Sequence, residues 1–130
     1  MFKKLKDYTR TDIQKVLGGE LQTYLPQKNK RILAGCFNEE LNPDCPNEIQ
    51  AGNKPQVKKK AELLISLSAC PEGFQFPVFT KPTMKSKYYR YQGIYQCIGG
   101  SNELDVLAKA EEKSGRHGKL TYVLNLEPAT

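Results

Sequence analysis

Hydrophobic and polar positions along the chain follow two periods, and the switches between them predict the elements. Over 9–17, Ile13, Val16 and Leu17 recur at helical spacing, Thr9 is placed to cap the helix, Asp12 suits its first turn, and Gly18-Gly19 stops it. Residues 20–25 read as a brief extended piece, and 27–30 as a polar turn. A buried strand is predicted over 31–37, followed by a long polar loop through Asn53 in which Pro43, Pro46 and Gly52 stiffen or turn the chain. Val57, Ala61 and Leu64 mark one face of a helix over 56–65, with Lys58, Lys59 and Lys60 on the other face. Phe74, Phe76 and Val78 alternate along a strand over 74–81, in which Pro77 implies an edge or a bulge.

The next strand, 87–98, is aromatic. Tyr89, Tyr91, Gly93, Tyr95 and Cys97 share one face, and Gly93 suits a bend. Gly99-Gly100 then reads as a turn and Ser101 as the cap of a helix to Ser114, with Leu104, Leu107 and Ala108 inward and Gly115 ending it. A last strand over 120–126 places Leu120, Tyr122, Leu124 and Leu126 on one side. Residues 1–130 therefore read as a single α+β domain of about five or six strands and about three helices, with a closed or half-open barrel expected.

Charge adds a partner to this picture. The net charge is +6, from 20 Lys and Arg against 14 Asp and Glu. The cations cluster at Lys58–Lys60 and among Lys81, Lys85, Lys87 and Arg90, which favours a polyanion held through phosphate contacts. Arg10, at a helix start, is a further phosphate candidate. Tyr24, Phe79 and the tyrosines of 88–95 beside these cations are the ingredients for stacking a base. No run is apolar enough to cross a bilayer, and the basic first residues lead into no apolar segment, so a cytoplasmic location without membrane contact is expected.

Catalytic signals are weak. His117 is the one histidine and sits in a polar turn, and no phosphate-binding Gly-rich loop or HExxH is present. The four cysteines form no close pair, so neither a metal nor a cofactor is expected. The carboxylates of 39–48 leave a small metal-dependent nuclease or hydrolase as one alternative. An RNA-binding domain and a protein-interaction domain of a phage or defence system are others.

Several short motifs carry a resemblance in order: Tyr8-Thr9-Arg10-x-Asp12-Ile13, Leu17-Gly18-Gly19, Gln22 to Pro26 and Ala34-Gly35-Cys36-Phe37. Leu41-Asn42-Pro43-Asp44, Gly52-Asn53, Pro77-Val78-Phe79 and Tyr89-x-Tyr91-x-Gly93-x-Tyr95 continue it. The chain resembles small PUA-like or SRA-like domains found beside HNH nuclease domains in restriction-like proteins. Tyr88 or Tyr89 stands where such domains usually carry Trp. The resemblance implies a β-barrel that reads a modified base, with modified cytosine expected, in double-stranded DNA by base flipping. Any nuclease activity would then come from a separate HNH domain or subunit. It implies stacking by Tyr24, Phe37 or Tyr89, and contacts to the polar edge of the base by Asn42, Asp44 and Asn53. The phosphates would fall to Arg10, Lys58, Lys59, Lys60, Lys81, Lys85, Lys87 and Arg90.

Overall fold

The computed structural model describes residues 2–129. Its elements, in chain order, are β1 (Asp7–Tyr8), α1 (Arg10–Leu17), β2 (Gln27–Lys28), β3 (Arg31–Ile32), β4 (Gly35–Asn38), β5 (Glu48–Gly52) and α2 (Pro55–Ser68). They continue with β6 (Gln75–Lys81), β7 (Tyr89–Ser101), α3 (Leu104–Ser114) and β8 (Leu120–Pro128). Six strands form a mixed sheet in the order β4-β6-β7-β8-β5, with β1 added to the start of β7, and β2 and β3 form a separate hairpin. Among the described residues only the β4–β6 pair is parallel. The architecture is thus α+β with three helices, but the sheet is open. The expected closed barrel is not formed, because no ladder joins β4 to β5.

Local chemistry accounts for most boundaries. Thr9 and Asp12 form a reciprocal capping box on α1, and Ile13 fills the core while Val16 stays exposed. The predicted strand 31–37 is broken in two. Asn29 and Lys30, both at positive φ, make the tight turn that pairs β2 with β3, and the chain then leaves this hairpin before β4 begins. Pro77 lies in an inner strand, one residue before β4 starts to pair at Val78, so its missing N–H leaves no ladder bond unmade.

β7 is bent twice, with bulges beside Gly93 (φ 110°) and Gly99 (φ 152°). The bend divides its inward face. Tyr89 and Tyr91 pack with Phe79 and Ile13, whereas Tyr95 and Cys97 pack with Phe76 and Leu64. The Gly99-Gly100 turn expected from sequence is instead part of the strand, because the second bulge absorbs it. α3 accordingly starts later, with Glu103 as its N-cap and Leu107 and Ala110 inward, while Leu104 and Ala108 face solvent. α2 and α3 cover opposite faces of β8: Leu124 packs with Leu64 of α2, and Val123 with Leu107 of α3. Among the described residues no helix is long and apolar enough to cross a membrane.

A candidate nucleotide-binding cleft

A cleft of about 730 Å³ opens where β4 and β6 end, between the unpaired edges of the sheet. This volume lies within the usual range of small-ligand sites, roughly 300–1,000 Å³. Its walls come from Asn38 of β4, Lys81 of β6, Tyr89 of β7, Gln50 and Gly52 of β5, the first turn of α2, the 22–24 segment and the α3–β8 turn. Six cations line it, Arg10, Lys54, Lys60, Lys81, Arg116 and Lys119, against one carboxylate, Glu20.

Of the residues proposed from sequence to touch the base, Tyr24, Phe37, Asn42, Asn53 and Tyr89 line this cleft, together with Arg10, Lys60 and Lys81 of the phosphate set. Their chemical states differ. Tyr24 is half-buried and donates its hydroxyl to Val57 O at 2.7 Å, and burial pushes its phenol above the ordinary range. Phe37 is 1% exposed and belongs to the main core, so its ring has no free face for a ligand. Lys81 Nζ lies 4.7 Å from the Tyr89 ring centroid, a cation–π contact that covers one face of the ring. Asn53 is exposed at the cleft wall, and its side-chain amide has no hydrogen-bond partner among the described residues.

Asn42 is engaged at both ends. Its Oδ1 accepts from Gln50 N at 2.7 Å, and its Nδ2 donates to Asn38 O at 3.2 Å. One amide therefore bridges the two sheet edges, and reading a base with it would compete with these two bonds in a side chain that is 5% exposed. Asp44 lies outside the cleft and forms an exposed ion pair with Lys113 Nζ at 2.7 Å. Of the neighbouring carboxylates, Glu48 shares Lys113 with Asp44, and Glu40 faces the β6–β7 loop. Glu40 accepts from Met84 N, and Glu48 lies 3.4 Å from Lys113. Among the described residues no three His, Cys, Asp or Glu side chains converge on a possible metal position.

Lys60 is 8% exposed, contrary to its expected place on a solvated helix face. It donates to Glu20 Oε2 at 2.8 Å and to Leu25 O at 3.0 Å. Burial raises the Glu20 carboxyl, but the hydrogen bonds from Lys60 and Gln27 N outweigh it and hold Glu20 below its ordinary value. Arg10 donates to Thr23 O and Glu20 O, and Lys81 to Met84 O and Ser86 O. These three cations tie the walls together and set a positive field; their main donors are already occupied.

The remaining phosphate candidates lie elsewhere. Lys58 and Lys59 are exposed on α2, and Lys85 is exposed on the β6–β7 loop. Lys87 and Arg90 line a second hollow of about 600 Å³ on the far side of that loop, where Arg90 pairs with Asp7 at 3.3 Å. Cys36, at the cleft floor, is no nucleophile: burial pushes its thiol up to about 11, against the pull of Arg10 and Lys81.

Sequence reading missed Lys54, Arg116 and Lys119. Arg116 sits in a Gly-bounded polar turn and reads as a surface residue, yet its Nη2 donates to Leu41 O at 2.7 Å and Gln50 O at 3.1 Å. No protein-family model, curated protein or solved structure matches this chain.

Proposed function

We propose that the chain is a DNA-binding module that takes one modified base, with modified cytosine the expected case, out of a duplex and into this cleft. The observation that carries the reading is the lining itself: aromatic rings and a free amide among six cations, with one carboxylate that is already paired. An aromatic wall stacks a base of any sequence, worth about 1–3 kcal/mol per base, and positive charge attracts the phosphates on either side. Extruding a nucleotide costs about a few kcal/mol, least where pairing is already weakened.

Tyr24 is the stacking ring in this reading, Tyr89 with Lys81 the opposing wall, and Asn53 the polar reader of the base edge. The PUA-like and SRA-like readers that the sequence resembles enclose their base in a barrel. Here the support is an open sheet whose edges approach closely enough for Asn42 to bond both. In a restriction or defence setting, cleavage would be left to a separate HNH domain or subunit.

A fluorescent purine analogue placed beside the target cytosine tests extrusion. Loss of its stacking partner should raise its emission on binding, and Tyr24→Leu should abolish the rise. Tight, selective binding with no change in emission would mean that the base is read in the groove, within the stack.

A further inference from the structure

The cations at one end of the cleft are not balanced by a carboxylate among the described residues. Lys54 precedes α2, Lys119 precedes β8, and Arg116 stands between α3 and β8. None of the three enters an ion pair among the described residues. Arg116 is half-buried, and its guanidinium is held in place through Nη2 by Leu41 O, Gln50 O and Gln50 Oε1. Its Nε is buried with no acceptor among the described residues. Its Nη1 makes no hydrogen bond among them either, and lies 3.7 Å from where a Cβ on Gly52 would sit. The next nearest atom to that position is Lys119 O at 3.9 Å, so a small hollow remains over Gly52.

A guanidinium stays charged at any working pH. Withdrawing it from water without a counter-charge is unfavourable unless an anion arrives. The same corner holds the start of α2, where Lys54 provides no side-chain cap and the first turn carries no acid. Positive side chains at the positive end of a helix repel it, and an anion reverses that. We propose that Gly52, Arg116, Lys119 and Lys54 form a phosphate subsite, which holds the phosphate carried by the nucleotide in the cleft. The nucleotide part of this inference rests on the reading above; the anion site itself does not.

The test is a titration of the whole chain with inorganic phosphate, followed by amide proton–nitrogen spectra, with chloride at matched ionic strength as control. Deoxycytidine and its monophosphate are then compared. Saturable shifts should appear at Gly52, Asn53 and Arg116 with phosphate and not with chloride. Lys119→Ala should weaken them by about tenfold, and Gly52→Val should block the site sterically. Neither substitution removes a hydrogen-bond partner of Arg116 Nη2, and unchanged ligand-free amide shifts at Leu41 and Gln50 separate loss of binding from a folding defect. The monophosphate should bind more tightly than the nucleoside, and the gain should vanish in both variants. Shifts centred on Lys58 and Lys59, or shifts insensitive to both variants, would overturn the subsite. Phosphate saturating here while duplexes show no base preference would leave the subsite standing and remove the base-reading role. Base preference with an insensitive phosphate titration would do the reverse.

Discussion

The side-chain oxygen of Asn42 accepts the main-chain N–H of Gln50 at 2.7 Å, across the gap between the sheet edges. Gln50 is buried on an unpaired edge, so this bond and the one from Arg116 to Gln50 O replace a missing neighbour strand. Asn42→Ala would leave the Gln50 N–H buried and unmet, which costs about 1–3 kcal/mol. Urea denaturation should show that loss, while the ratio of affinities for modified and plain duplexes stays the same. Unchanged stability with loss of that ratio would make Asn42 a base reader after all.

Asp44 carries the opposite expectation from the one its sequence position suggests. Its pair with Lys113 is exposed on both sides, and such pairs contribute about 0–1 kcal/mol. Asp44→Ala should therefore change neither stability by more than this nor base selection. Loss of discrimination in competitive binding would show that Asp44 swings into the cleft on complex formation.

Acid should weaken the fold through two carboxylates. Glu20 is held below its ordinary value of 4.5, as described above, and Asp12 below 3.8 by its bonds with the Thr9 main chain and hydroxyl. A depressed folded pKa means that the unfolded chain binds more protons in that window. This contribution is fully present above the ordinary carboxylate values and disappears as pH falls through the folded ones. The urea midpoint should hold from about pH 7 to 5 and decline below about 4. Glu20→Gln should flatten part of that decline; an identical slope would place the acid sensitivity elsewhere.

Thiol chemistry should single out one cysteine. Cys70 is exposed, whereas burial, reinforced by the Glu39 carboxylate, pushes Cys45 up to about 12. Burial raises Cys36 and Cys97 as well. Alkylation near pH 8 followed by intact mass should add one label quickly and the rest only on unfolding. Two or more fast labels would mean that the 39–48 loop opens readily.

Local signals in the sequence carried far in this fold, and long-range ones did not. The capping box on α1 and the alternating face of β7 rest on neighbours a few residues apart, and both can be read directly. Lys60 was readable too: it lies three residues after Val57 and four before Leu64, on the buried face, but its charge suggested solvent. β5 was hidden because Gln50 is a buried polar residue, satisfied by Asn42, Arg116 and Ala110 O, all distant in sequence. Arg116 was hidden for the same reason. Neither spacing nor composition reveals that a polar turn folds back onto a sheet edge.

Whether the cleft selects one modified base is decided by relative affinity. The measurement is a binding titration at two salt concentrations, with duplexes identical except for a cytosine that is unmodified, methylated, hydroxymethylated or glucosylated. A preference of about tenfold or more, roughly 1.4 kcal/mol, for one form, retained at high salt and lost in Tyr24→Leu and Asn53→Ala, is the predicted result. Equal affinity for all four, falling steeply with salt, would contradict it and leave only a basic surface.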